Sequence, residues 1–284
     1  MNKQGQGPDG CRIVVGFTSA SNADSATAAA AVLASVIEAE IVGLYVQEEI
    51  MLDLAEFPFA RVLDFDSPKP RVVSRQLMQE AFARTAAVCK QALSKHAGKA
   101  QLNWSFRSQQ GDFDATVEAA AGLGDYVVLP FETHGIGMHS LLHALRMVPA
   151  GVGGVVVAAL HRQRRSTGPI VAIDDGDETG ARTVTLAARL ATLEGRSLHL
   201  FVIAAADADA ERIKARAAAL VDNKQAMTTH RFVPGSPKSI AAGLAHLSPY
   251  FVVGDLDGEP IRDDKIAASL FRAAQAPVLL LRKS

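Results

Sequence analysis

The chain contains few cysteines, carries little net charge and has no long apolar run. Its 284 residues include two cysteines, Cys11 and Cys89, whose spacing matches no metal-ligand motif. Such sparse cysteine usage is typical of a reduced compartment, so we expect a cytoplasmic protein. The formal net charge is −1, which gives no general attraction to nucleic acid or anionic lipid. No apolar run is long enough to cross a membrane. We therefore expect neither nucleic acid nor membrane as a partner.

The remaining composition is that of a globular protein, with 49% hydrophobic and 21% charged residues. The length suits one large domain or two small ones. The first ten residues, MNKQGQGPDG, are polar and rich in glycine, and they lack the apolar core of a signal peptide. We expect residues 1–11 to be a disordered lead-in.

The order of predicted elements repeats along the chain. A strand at residues 12–17, an alanine-rich helix and a strand at residues 40–46 recur 157 positions later, from Pro169 to Ile203. A second block, residues 109–130, aligns with residues 233–254 at an offset of 124. Identity between the halves is low, but the order strand, helix, strand, Gly-turn-helix and strand is kept.

Each repeat predicts one domain. Strands that alternate with helices and read as continuous Val, Ile and Leu runs are typical of parallel sheets covered on both faces. We predict an α/β protein with two tandem doubly wound domains, each with a five-stranded parallel sheet. The predicted boundaries are 12–160 for domain 1, 161–168 for a linker and 169–284 for domain 2.

The two repeat offsets differ by 33, so the first half carries about 33 additional residues, which lie between Gln47 and Trp104. Segment 47–104 is therefore the longer variable region of domain 1. The linker sequence HRQRRSTG is basic. We interpret it as a solvated connector in preference to a nucleic-acid patch.

From Arg12 onward the chain resembles a tandem universal stress protein. GDFDATVEAA from Gly111 and GSPKSIAAGLA from Gly235 resemble the family's turn into its third helix. VAIDDGDETGA from Val171 is similar to its opening strand, and APVLLLR from Ala276 to its closing strand. The resemblance implies an adenine nucleotide alpha-hydrolase-like fold. It also implies that the two units pair through their final strands across a pseudo-two-fold axis.

The resemblance also implies a nucleotide site in the second half. In ATP-binding members an acid ends the first strand near the ribose or metal, and the end of the second strand lines the adenine. A Gly-x2-Gly-x9-Gly-Ser/Thr loop after the fourth strand holds the phosphates, where backbone amides supply positive potential. The implied ligand is ATP or AMP with Mg²⁺. The candidate nucleotide-binding residues are Asp174, Asp175, Val202, Ile203, Gly254, Gly258 and Lys265.

The first half departs from this pattern. Phe17 occupies the position of Asp174, and Pro130 stands where the alignment expects the first glycine. Gly135 and Gly137 follow out of frame. We expect this half to be a structural partner that binds no nucleotide.

The phosphate loop of the second half is altered too. Gly254 and Gly258 are three residues apart instead of two, and Asp264 and Lys265 replace the expected Gly-Ser. From Gly254 to Lys265 there are five acids and two bases, and like charges would repel a triphosphate. Three interpretations stay open: a solvated turn with Asp263 as helix cap, which we favour, a retained adenine-nucleotide site, and a cation site.

Two further motifs have an unremarkable explanation. His139 and His143 are four residues apart, a spacing that would allow them to share a metal ion. We favour the interpretation that these two residues and His134 are ordinary surface or packed histidines. The stretch ASNADS from Ala20 shares its final Asp-Ser with the loop of ATP pyrophosphatases. We favour a helix start there, capped by Asn22 or Asp24.

These motifs supply no nucleophile with a base and no metal cluster, so we expect no catalytic residues and no enzyme. We expect a non-catalytic regulatory protein that acts through an unknown protein partner and needs no cofactor. The alternative is an adenine-nucleotide sensor that uses only the second domain. The variable segment, with Phe57, Pro58 and Phe59, either forms the contact surface or covers the core of domain 1. A homodimer is left open.

Overall fold

A single ten-stranded sheet runs through the whole molecule. The computed structural model describes residues 10–57, 59, 61–64, 67–72, 74–131, 148–149, 151–159, 167–222, 225–258, 261 and 264–283. The strands of the first half are β1 (Arg12–Phe17), β2 (Glu40–Glu48), β5 (Trp104–Gly111), β6 (Tyr126–Phe131) and β7 (Gly154–Ala159). Those of the second half are β8 (Ile170–Asp174), β9 (Leu198–Ile203), β10 (Met227–Phe232), β11 (Phe251–Asp255) and β12 (Val278–Leu281).

Helices connect these strands, and one small hairpin lies outside the sheet. The hairpin consists of β3 (Arg61–Asp64) and β4 (Ser67–Val72). The described helices of the first half are α1 (Ala23–Ile37), α2 (Glu49–Leu54), α3 (Arg75–Lys99) and α4 (Phe113–Ala120). Those of the second half are α5 (Gly180–Leu193), α6 (Asp207–Leu220), α7 (Pro237–Leu247) and α8 (Asp264–Ala274).

The two halves of the sheet join through their final strands. The strand order is β10-β9-β8-β11-β12-β7-β6-β1-β2-β5. Every neighbouring pair is parallel except β12 and β7, which run antiparallel with Val278 opposite Val157. The predicted α/β architecture of two five-stranded parallel units, paired through their last strands, is confirmed. The predicted domain boundaries stay predictions.

The register of the sheet corrects the repeat alignment by one residue. Ile13 lies opposite Ile41 and Ile170 opposite Leu198, which keeps the offset of 157. Val14 pairs with Val127, however, and Val171 with Val252, so the offset at the next strand is 125 instead of 124. The residue equivalent to Gly254 is therefore Leu129, and Pro130 corresponds to Asp255.

The core lies on both faces of the sheet because alternate strand residues point to opposite sides. On one face α1, α3, α5 and α6 cover residues such as Val15 and Ala172. On the other face α4, α7 and α8 cover residues such as Val14 and Val252. The many buried alanines of α1 allow it to approach the sheet closely, and α1 also touches α5 across the two halves.

The additional residues of the first half include α2 and the β3–β4 hairpin, which both precede α3. Leu52 and Ala55 are buried, whereas Ile50, Phe57 and Phe59 are exposed. The expectation that this segment's apolar side chains cover the core is therefore wrong for the exposed residues.

The predicted side-chain cap of α1 is wrong. Asn22 occupies the cap position, but its side chain makes no capping hydrogen bond. Asp24 lies in the first turn, where its carboxylate contacts Lys95 and His96 at 2.9 Å each. Residues 1–9, the three histidines at 134, 139 and 143, Gly135, Gly137, and linker residues 161–166 lie outside the described residues. Of the helices that the structure describes, none has the length and apolar character to traverse a bilayer.

Candidate functional site

The candidate site lies at the carboxyl ends of β8 and β11. From β8 the chain continues to β9 on one side, while β11 pairs with β8 on the other. This change of direction is the topological switch point, where open α/β sheets bind ligands. Asp174 ends β8 and Asp255 ends β11, so two carboxylates meet at this edge.

Asp174 is already neutralised by a residue of its own chain. Arg216 of α6 places Nη2 2.7 Å from Oδ1 and 2.8 Å from Oδ2 of Asp174. The Gly176 amide donates to the same Oδ1 at 2.8 Å. The Asp174 side chain is fully buried, and a buried carboxylate needs such partners. The carboxylate that the resemblance assigns to a ribose or metal is thus occupied by a guanidinium.

Glycine is required at the start of α5 by this ion pair. A Cβ atom on Gly180 would lie 2.1 Å from Asp174 Oδ1 and 2.3 Å from Arg216 Nη2. Arg216 also donates from Nη1 to the carbonyl of Asp177 at 3.0 Å. The guanidinium therefore joins α6 to the loop after β8.

In each of the two loops a carboxylate accepts a hydrogen bond from a backbone amide. Asp177 Oδ1 accepts from the Gly180 amide at 3.0 Å, at the N-terminus of α5. Asp255 Oδ1 accepts from the Asp257 amide at 2.8 Å. Amides at a helix N-terminus and in a tight turn are the donors that a phosphate would use. In this protein acidic side chains already accept their hydrogen bonds.

Asp177 and Asp255 form a carboxyl–carboxylate pair. Burial raises the pKa of Asp255 to about 7, and its hydrogen bond with Asp177 adds to that rise. Burial acts to raise the pKa of Asp177 as well, but hydrogen bonds from Asp255 and the Gly180 amide bring it below its ordinary value. Because two adjacent carboxylates repel each other, Asp255 keeps its proton up to about pH 7. Lys283 Nζ lies 3.7 Å from Asp177 Oδ2.

The cavity that the described residues enclose between these loops is small. Its volume is about 20 Å³, room for about one water molecule, whereas ligand pockets usually measure about 300–1,000 Å³. The walls are mostly apolar, and three acids lie at its rim. The apolar walls include Ile173, Leu244, Phe271 and Leu280, and the acids are Asp175, Asp177 and Asp255.

The structure brings only some of the predicted residues together. Asp175, Gly254 and Gly258 line the cavity. Val202 and Ile203 are buried at the end of β9 and are absent from the cavity wall. The backbone of Lys265 belongs to α8, and its side chain is outside the described part of the chain.

Sequence reasoning missed Arg216 and Asp177. Arg216 is 42 residues away from Asp174 in the chain, in a helix whose other charged residues gave no sign of a buried partner. Asp177 stands in the stretch VAIDDGDETGA, which was compared with an opening strand, but no role was assigned to this residue.

Gly254 has no packing reason to be glycine. A Cβ atom there would meet Ile173 and Leu280 at 3.8 Å, which is ordinary contact, and its φ is not positive. Across the part of the chain that the structure describes, no three His, Cys, Asp or Glu residues are arranged to hold a metal ion.

Solved structures share this arrangement of strands over the full chain. A universal stress protein from Archaeoglobus fulgidus DSM 4304 aligns over 96% of both chains, with a TM-score of 0.63 and 13% identity. The chain has the universal stress protein fold. A putative universal stress protein from Pseudomonas aeruginosa UCBPP-PA14 aligns over 96% of this chain and 93% of its own, with a TM-score of 0.55 and 15% identity.

The universal stress protein fold also occurs in a transporter. The cytoplasmic domain of a prokaryotic cation chloride cotransporter aligns over 96% of both chains, with a TM-score of 0.58 and 12% identity. No protein-family model and no curated protein matches this sequence. Since one fold hosts different functions, function has to be argued from the site itself.

Proposed function

We propose that this chain is a non-catalytic regulatory protein of the universal stress type. Its nucleotide sites are degenerate, and it acts through interaction with another protein. We place it in the cytoplasm, because its two cysteines, Cys11 and Cys89, form no disulfide and cytoplasmic thiols stay reduced.

The observation that carries the proposal is the ion pair between Asp174 and Arg216. A nucleotide or its Mg²⁺ would have to displace the guanidinium from a buried carboxylate. Breaking a buried ion pair on one side costs about 3–5 kcal/mol. The carboxylates of Asp175 and Asp177 line the cavity and add charge of the same sign as a phosphate. The residues present therefore do not suit ATP or AMP.

Titration calorimetry with ATP, ADP and AMP, each with and without Mg²⁺, tests the degenerate site. We expect no heat of binding, and no thermal shift at millimolar nucleotide, because a ligand that binds only the folded state would raise the melting temperature. Saturable binding that is weakened by Gly254→Ala would contradict the proposal. Gly254→Ala suits this purpose because the added methyl group has space.

The alternative, an adenine-nucleotide sensor that uses only the second half, is favoured by one observation. Gly254 leaves the end of β11 open to close approach, although packing does not require it. If the protein is such a sensor, the full chain should bind nucleotide and Asp174→Ala should weaken that binding.

An ATP hydrolysis assay tests the non-catalytic part of the proposal, and we expect no turnover above a blank without protein.

A further inference from the structure

Five large apolar side chains are exposed within ten residues of the variable segment. We name Ile50, Met51, Leu54, Phe57 and Phe59 the apolar strip. Ile50 is 66% exposed and Phe59 86%. Isolated exposed apolar residues are ordinary, but a contiguous group of this kind marks an interaction site.

The apolar strip is held on the fold by buried and charged contacts. Strand β2 runs directly into α2, and Glu48 at its end pairs with Gly111 of β5. Leu52 and Ala55 are buried beneath the strip, and Glu56 forms an ion pair with Arg75 at the start of α3. The strip residues therefore face outward on an element that is anchored from below.

The surroundings of the apolar strip are acidic. From residue 48 to residue 61 there are four acids, Glu48, Glu49, Asp53 and Glu56, and one base, Arg61. Arg75 pairs with Glu56, so the acids remain in excess by two. An anionic membrane or a second copy of this strip would meet charge of its own sign. A partner with basic residues around an apolar face would be attracted.

We propose that the apolar strip is the docking site for a basic amphipathic helix of a partner protein. This inference rests on the proposed function, because it names the kind of partner and the surface that binds it. An amphipathic helix presents one apolar face flanked by charges, which matches exposed side chains surrounded by acids. Strand addition is a poorer match, since the free sheet edge of this half is β5 and not the strip. Methionine and phenylalanine side chains adapt well to such a face.

The direct test is fluorescence anisotropy of the full chain with a labelled peptide of leucine and lysine in amphipathic helical order. The control peptide has the same composition in an order that distributes leucine around the helix. We expect saturable binding of the amphipathic peptide and at least about tenfold weaker binding of the control. Equal binding of both peptides would overturn the inference.

Substitutions locate the binding site. The double variant Ile50→Ser, Phe59→Ser should lose at least about tenfold in affinity, with an unchanged melting temperature because both side chains are exposed. Leu123→Ser is the matched control, since Leu123 is 91% exposed in a different loop, and it should bind as the natural chain does. Asp53→Lys should also weaken binding and reduce its dependence on salt. Unchanged affinity in the double variant would refute the strip as the site.

Two further measurements test whether a membrane or a second copy of the chain binds the apolar strip instead. Sedimentation with phosphatidylserine vesicles should leave the protein in solution, and sedimentation equilibrium should show no self-association that depends on Phe59. Either a vesicle-bound protein or a Phe59-dependent dimer would overturn the inference. Nucleotide calorimetry is independent of all these outcomes. Failure of peptide binding refutes the strip alone, and nucleotide binding refutes only the degenerate site.

Discussion

Replacing Asp255 by asparagine should stabilise the protein at neutral pH. Asp255 is 7% exposed, and its carboxylate oxygen Oδ2 is buried without a hydrogen-bond partner. The neighbouring carboxyl group of Asp177 adds to the rise of the Asp255 pKa that burial causes. Asparagine has the same shape. Its carbonyl can accept from the Asp257 amide, and its amino group can donate to Asp177 without any titratable proton.

The magnitude follows from the pKa of Asp255. Burial raises this pKa from 3.8 to about 7, and 1.36 kcal/mol per pH unit gives about 4 kcal/mol. Between these two values the folded state binds a proton that the unfolded state has lost. The free energy of unfolding therefore falls as pH rises from about 4 to about 7. The lowered pKa of Asp177 acts in a different pH range, because the stability it contributes is lost only as pH falls below about 4. Between pH 4 and pH 8 the effect of Asp255 is therefore not offset, and we expect at most about 4 kcal/mol.

The assay is urea unfolding of the natural chain and of Asp255→Asn between pH 4 and pH 8. The variant should be more stable by up to about 4 kcal/mol at pH 8, and the two proteins should differ little at pH 4. Asp257→Asn is the matched control, because Asp257 is an exposed neighbour of Asp255. The stability of this variant should depend on pH as that of the natural chain does. Parallel pH profiles for the natural chain and Asp255→Asn would refute the raised pKa of Asp255.

The ion pair at the end of β8 gives two more predictions. Arg216→Met should lower the free energy of unfolding by about 3–5 kcal/mol because Asp174 is left buried without a counter-charge. The added change Asp174→Asn should restore most of that loss, and unfolding curves that are insensitive to Arg216→Met would contradict the buried pair. Gly180→Ala should destabilise the protein by at least about 1–3 kcal/mol, because its Cβ would overlap the ion pair. Gly254→Ala should shift the urea midpoint little, and equal losses for the two glycines would refute the packing argument.

Much of the fold could be predicted from the amino-acid sequence because its signals are local and repeated. The runs RIVVGF and PIVAID lack polar residues to face solvent, so they predict buried parallel strands. The register at β6 and β11 was misaligned by one residue, because two Val-rich strands pair equally well in sequence at either offset. Only the hydrogen bonds that align Val14 with Val127 distinguish these registers.

The candidate site was predicted in part. Its place at the ends of β8 and β11 follows from topology, and Asp175, Gly254 and Gly258 do line the cavity. Val202 and Ile203 do not, because their side chains are buried in the cores on the two faces of the sheet. The sequence pattern predicts which residues end a strand. It does not predict which side chain of a distant helix packs against them.

The order of strands and helices, the repeat and the unusual acidity of the last loop were determined by the sequence alone, since apolar periodicity and charge are properties of neighbouring residues. Tertiary structure decided which cation Asp174 binds, because Arg216 reaches it from 42 residues away. It also decided that Ile50 and Phe59 face outward while Leu52 faces inward, because a six-residue helix has too few turns to mark its buried side. Long-range packing, which no local pattern encodes, therefore pairs Asp174 with Arg216 and leaves the apolar strip exposed.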